Sequence, residues 1–161
     1  MFAIACEGAE REPQYFNVFQ YASKRVKVDV IQDIVEEGEI EARPNNSSPR
    51  GVLEKAMRYI ESEGLSDEDC LYFVIDTDRW SYEQINLLAE YCAQKPNWNL
   101  IVSNPCFEVW LYLHKRADIS ISESNSCKDF KSEISILEKG GYHPYKFLPY
   151  LFDAIKNAKN I

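Results

Sequence analysis

The sequence predicts an α/β protein, a compact parallel sheet of about four strands flanked by helices. Two continuous apolar runs of strand length, Phe2-Ala3-Ile4-Ala5-Cys6 and Leu71-Tyr72-Phe73-Val74-Ile75, carry the pattern of strands buried on both faces. Helix-like stretches alternate with the strands in the order β-α-β-α-β-α-β-α, which right-handed crossovers fold into a mostly parallel sheet covered by helices. The length of 161 residues suits one domain, 1–161, with its own core.

The elements follow in order. Residues 2–6 form the first strand. Pro13 opens a helix over 13–24 with Tyr15, Phe16, Phe19 and Ala22 on one face. Val26, Val28 and Val30 alternate with polar residues as a strand does. Residues 32–48 are acidic, then polar with Asn, Ser and Pro, and read as a long loop, partly disordered or ordered only with substrate, whose polar stretch 36–50 suits a substrate or a partner. Ser48-Pro49 caps a helix that turns Val52, Leu53, Ala56, Met57 and Ile60 inward and stops near Gly64. Strand three is 71–76. Ser81 and Gln84 make a capping box for a helix ending before Pro96. Leu100, Ile101 and Val102 make the fourth strand, and Pro105 opens an apolar helix from Phe107 to His114. Ser126 and Asp129 cap another helix, ended by Gly140-Gly141. A last helix from about Tyr145 carries Phe147, Leu148, Leu151, Phe152 and Ile155.

Composition narrows the function classes. Hydrophobic residues make up 45% and charged residues 27%, the balance of a globular protein. No apolar run reaches the roughly 18–20 residues that span a bilayer. The N-terminus begins in a strand-like run without a basic leader, so no signal peptide is expected and the location is read as cytoplasmic. The five cysteines include no C-x-x-C, and neither His114 nor His143 stands at ligand spacing from a cysteine pair; buried reduced thiols are expected rather than a zinc site. A net charge of −8 argues against non-specific nucleic-acid binding, except where a cation cancels clustered carboxylates and where basic residues gather, as at Lys24-Arg25, Lys27 and from Lys128 to Lys139. No Walker A, G-x-G-x-x-G or G-x-S-x-G motif is present, which removes the commonest NTPase, dinucleotide-binding and hydrolase readings.

The chemistry-bearing residues stand at strand ends. Glu7-Gly8 follows the first strand, and Asp76-Thr77-Asp78 closes the third. Ligands of open α/β sheets bind outside the carboxyl ends of the strands. In extended backbone, residues two apart point the same way, so Asp76 and Asp78 can face one ion. With Glu7 they form a hard oxygen set suited to Mg2+ or Mn2+, with a solvated strand-end carboxylate as the bland reading of Glu7. Gly8 lets the backbone turn sharply and approach a ligand. Glu10 reads as a carboxylate favourable to a helix dipole, and Glu12 equally as that or as a site group. Glu108, at the start of an apolar helix, reads as a site group, because charges in such surroundings are rarely left unpaired. His114 and His143 read as structural. Lys146 reads either as a cation for a transferring phosphate or as a surface lysine.

Cys6-Glu7-Gly8 to Glu12-Pro13 with Tyr15-Phe16, then Val74-Ile75-Asp76-Thr77-Asp78, then Ser103-Asn104-Pro105-Cys106-Phe107-Glu108-Val109-Trp110-Leu111-Tyr112-Leu113-His114, resemble the RloB family. That family is found in bacterial and archaeal defence and restriction-modification loci. It is related to the Toprim domain of topoisomerases, primases and the overcoming-lysogenization-defect nucleases. The resemblance runs along nearly the whole chain, with the Ser-Asn-Pro-Cys-Phe-Glu segment its most specific part. It implies a Toprim-like fold with magnesium held by Glu7, Asp76 and Asp78. It gives Glu12 the place of a second glutamate, Glu108 that of a later acidic group and Lys146 that of a late lysine. The chain departs from the family's usual Glu-Lys-Thr pattern, carrying Ala9-Glu10-Arg11 between Gly8 and Glu12.

The expectation is a metal-dependent, Toprim-type nuclease acting on DNA or RNA in defence against phage or foreign DNA. Glu7 or Glu12 would serve as base, and a defence partner protein is conceivable. A small-nucleotide phosphohydrolase or nucleotidyl transferase, and a non-enzymatic nucleotide-binding subunit, are the alternatives. Sequence leaves the oligomeric state open.

Overall fold

The computed structural model describes residues 1–32, 47–121 and 123–161, and the predicted loop over 32–48 falls almost wholly outside them. Four strands, β1 (Phe2–Cys6), β2 (Val28–Val30), β3 (Cys70–Asp76) and β4 (Trp98–Ser103), form one parallel sheet in the order β2-β1-β3-β4. β1 is parallel to both neighbours, with Phe2 opposite Val28 and Cys70, and Cys6 opposite Val74. Leu71 donates to the Asn97 carbonyl and Thr77 to the Ser103 carbonyl, the same offset at both ends, as a parallel β3–β4 pair requires. Six α-helices accompany the sheet in the chain among the described residues, which is the α/β class the apolar runs predict.

The chain divides into two compact units: Met1–Ile75 with Arg79–Val102, and Asp76–Asp78 with Ser103–Ile161. In the first unit, alternate residues of the strands face opposite ways. Ala3, Ala5, Leu71, Phe73 and Ile75 turn to one face and bury against α2 (Pro49–Glu63) and α3 (Tyr82–Cys92), through Val52, Leu53, Ala56, Leu88 and Cys92. On the other face Phe2, Ile4, Tyr72 and Val74 line an apolar cavity of about 400 Å³ with Phe16 and Phe19. Ser48 and Pro49 start α2 as predicted, the Ser48 hydroxyl accepting from the Gly51 amide at 3.1 Å. Ser81 and Gln84 form the predicted capping box of α3.

Several element boundaries differ from the sequence reading. The helix expected over 13–24 is α1 (Arg11–Asn17) followed by a 3₁₀ turn, Val18–Tyr21. Val26 lies outside β2 and is exposed, because β1 begins at Phe2, opposite Val28, and offers Val26 no partner. Met57 is exposed rather than inward. Val52, Ala56 and Tyr59 define the buried stripe of α2, and with 3.6 residues per turn Lys55 lies on that stripe while Met57 lies off it. Ile101 and Val102 are each about two-fifths exposed because β4 is an edge strand.

The second unit packs α4 (Glu108–Leu113) against α5 (Cys127–Leu137) and α6 (Leu151–Ala158). Its interior holds Phe107, Leu111, Leu113, Phe130, Ile134, Phe147 and Ala154. Tyr112 meets Phe130 edge to face at 5.5 Å, and His114 meets Phe147 at 5.9 Å. Ser126 and Asp129 form the predicted capping box of α5. That helix ends at Leu137, before Gly140 and Gly141, whose φ of 87° and 85° make the turn that follows. Pro105 does not open α4. It follows a cis peptide at Asn104, and the helix starts three residues later at Glu108. The helix expected from Tyr145 begins only at Leu151, after two 3₁₀ turns, because Pro144 and Pro149 cannot continue an α-helical hydrogen-bond ladder. Phe152 consequently points outward, 83% exposed.

No helix among the described residues is long and apolar enough to cross a membrane.

Candidate metal centre

The second unit gathers the acidic residues of two distant segments. Thr77, between the two aspartates, is the fastener. Its amide donates to both the Ser103 and Pro105 carbonyls, at 3.0 and 3.1 Å, and its hydroxyl donates to the Asn104 side-chain oxygen at 3.1 Å. The Asp76-Thr77-Asp78 segment is thereby tied to Ser103-Asn104-Pro105-Cys106. One carboxylate oxygen each of Asp76 and Glu108 and the Cys106 sulfur all lie within 4.8 Å of one another. Cys106 is fully buried, Glu108 is 5% exposed and Asp76 is partly exposed.

A second thiol extends this cluster. Cys106 is within hydrogen-bonding reach of the Glu108 carboxylate and of Cys127, its single S–H serving one of them at a time, and Cys127 is within reach of the Asp78 carboxylate. Burial, reinforced by those bonds and by the nearby carboxylates, raises the Cys106 thiol well above the ordinary range. Burial likewise lifts Cys127 to about 11, with Asp78 and Asp76 adding to the rise and the bond from Cys106 opposing it.

The first unit holds the other two glutamates. The Glu7 amide donates to the Val74 carbonyl at 3.0 Å, which fixes the residue just past the end of β1. Glu7 is half-buried, Glu10 exposed and Glu12 buried. Glu12 stands in the first turn of α1, and a Cβ on Gly8 would overlap its carboxylate. Gly8 is therefore glycine to make room for Glu12, not to reach a left-handed backbone conformation. Beneath this loop the buried Lys55 ammonium donates to the Cys6 carbonyl at 3.0 Å. Desolvation, with the Glu12 charge adding and Lys55 opposing, pushes the Cys6 thiol up to about 12.

The structure thus brings Asp76 together with Glu108, and Asp78 with Cys127, in the second unit, and sets Glu12 against Gly8 in the first. Lys146 is engaged elsewhere: its ammonium donates to the Lys139 carbonyl at 2.9 Å and pairs with Glu138 at 3.5 Å. His114 is buried, its Nδ1 2.8 Å from the Trp110 carbonyl, a structural position, and His143 is exposed. Sequence reasoning missed Thr77, Cys106, Cys127 and Lys55. Lys55 had a visible signal, its place three residues after Val52 on an apolar helix face. Cys106 stands two residues before Glu108, but Cys127 had no signal, because Asp78 and Cys106 come from segments far from it in sequence.

Asp76 and Glu108 offer the hard oxygen donors that magnesium or manganese takes. Cys106 in the same cluster is a soft donor, which those ions do not favour.

A family model described as RloB-like protein matches residues 2–161, and the chain belongs to that family. No curated protein and no solved structure matches the chain.

Proposed function

We propose that this RloB-like chain is a divalent-metal-dependent nuclease of the Toprim type, hydrolysing phosphodiester bonds of DNA or RNA in anti-phage or restriction-associated defence. The observation behind the reading is the meeting of Asp76 and Glu108 in one cluster, although they belong to separate segments. Two carboxylates held that close repel each other unless a cation or a proton lies between them. In this reading Asp76 and Glu108 hold the ion, Mg2+ or Mn2+, and Thr77 keeps their segments in register. A bound divalent ion supplies Lewis-acid polarisation of a phosphate and a more acidic water. Asp78 is exposed beside this cluster and orients water or a second ion. Glu7 and Glu12, in the first unit, take their metal-binding and base roles from their places in the family's sequence pattern. Their substitution tests those roles independently. The reading implies a cytoplasmic protein with a nucleic-acid substrate and room for a defence partner.

The net charge of −8 favours a second reading, a phosphohydrolase or nucleotidyl transferase for a small nucleotide, which meets less long-range repulsion than a polymer. A non-enzymatic nucleotide-binding subunit would use the same cluster. The deciding experiment incubates the chain with plasmid, single-stranded DNA and RNA, with and without Mg2+ or Mn2+, beside Asp76→Ala. Metal-dependent cleavage lost in the variant supports the nuclease. Turnover of nucleotides without cleavage of any polymer moves the reading to the small-substrate enzyme. Ligand binding with no turnover moves it to the subunit.

A further inference from the structure

We infer that Cys106 is itself a metal ligand, so that the centre built from Asp76, Cys106 and Glu108 selects a thiophilic divalent cation, zinc foremost, over magnesium. The inference rests on the reading of this cluster as a cation site and changes which cation it takes.

Position carries the first part. Cys106 and Glu108 are separated only by Phe107 at the start of α4, and Asp76 is delivered to them through Thr77. The sulfur and the two oxygens lie within 4.8 Å of one another. Donors bound to one zinc at roughly 2.0–2.3 Å stand somewhat closer together than that, so a small inward movement of side chains closes the site. The sulfur is fully buried and cannot be replaced by solvent without opening the cluster.

Chemistry carries the second part. A thiol is a poor ligand for magnesium and a good one for zinc, so a sulfur on the ion reverses the preference that carboxylates alone would set. Binding breaks the Cys106 S–H bond as the sulfur–metal bond forms, and one proton leaves to solvent. Cys127, already hydrogen-bonded to Cys106 and to Asp78, then stands as an outer partner of the ligating sulfur. Three protein donors leave a tetrahedral ion one further position for water or a substrate oxygen, the arrangement of catalytic rather than structural zinc.

The test is a cobalt(II) titration of the full chain, read by absorption. The expected result is a sulfur-to-cobalt charge-transfer band in the near ultraviolet, abolished by added zinc and unaffected by excess magnesium. The band should vanish in Cys106→Ser and survive in Cys127→Ser. Zinc affinity in Cys106→Ser should fall by more than the roughly 10–100-fold that loss of an outer partner costs. Cys106→Asp should still bind cobalt, without the band, and should gain affinity for magnesium; circular dichroism confirms that the variants are folded. Failure of the wild type to bind cobalt, a bound ion without the band, or a band that depends on Cys127 instead of Cys106 each overturns the inference. Cleavage supported by magnesium in a chain with no sulfur band sinks this inference and leaves the nuclease standing; a sulfur band without turnover of any substrate does the reverse.

Discussion

Gly8→Ala isolates the packing of Glu12. The added methyl group would overlap both carboxylate oxygens and Cδ of Glu12, all at the far end of a side chain and none in the backbone. The backbone at Gly8 lies outside the left-handed region, so alanine fits it without strain. The cost therefore falls on Glu12, which must leave its rotamer for about 0.5–1.5 kcal/mol. It also gives up its buried position, at about 1–3 kcal/mol if a hydrogen-bonded carboxylate is left unsatisfied. Against this, alanine restricts the unfolded chain and returns about 0.4–1 kcal/mol. The net expectation is a loss of about 1–3 kcal/mol, at roughly 2–4 °C of Tm per kcal/mol for a chain of this size. In a Glu12→Ala background the obstacle is gone, and Gly8→Ala should stabilise by about 0.4–1 kcal/mol. The two substitutions are then coupled by about 1.4–4 kcal/mol, at and above the upper part of the range found for residues in contact. Urea denaturation of the wild type, both single variants and the double variant closes the cycle. A coupling near zero would refute the argument, and so would a loss from Gly8→Ala that persists undiminished without Glu12, since the backbone would then require glycine.

Two further outcomes follow from burial. Phe73→Ala, at a fully buried ring meeting Tyr91 edge to face at 6.0 Å, should cost about 3–5 kcal/mol of unfolding free energy; a loss below about 1 kcal/mol would mean that the core collapses around the gap. His114 is buried, and desolvation lowers its pKa below the ordinary 6.5, with the bond to Trp110 opposing and the Lys115 charge adding. The unfolded chain therefore binds this proton first, so the fold is favoured above about 6.5 and weakens as pH falls from there toward the depressed native value. His114→Gln should flatten the stability profile between pH 7 and 5, by at most about 1.4 kcal/mol per pH unit. Parallel wild-type and variant profiles would show that the ring does not titrate differently in the two states.

The strands and most helix starts were legible because their signals are local. β1 and β3 are continuous apolar runs, and Ser48, Ser81 and Ser126 cap their own helices through backbone amides three residues on. The last helix was misread because apolar spacing outweighed Pro149, whose missing amide splits the segment into turns. The acidic residues were named from the sequence, since strand ends followed by carboxylates stand out in a parallel α/β pattern. Their grouping was not. Asp76 ends β3, and Thr77, bonded to carbonyls on either side of Asn104, ties it to the segment that carries Cys106 and Glu108.

Burial was likewise undecided by residue type. Lys55, though charged, is turned inward to the Cys6 carbonyl by its place on the stripe of α2, while Met57, more apolar, stays outside. Sequence alone determined the fold class, the family and most helix starts, because those depend on neighbours along the chain. Tertiary structure decided which carboxylate meets which thiol, because donors joined through space are positioned by hydrogen bonds between segments that no local pattern records.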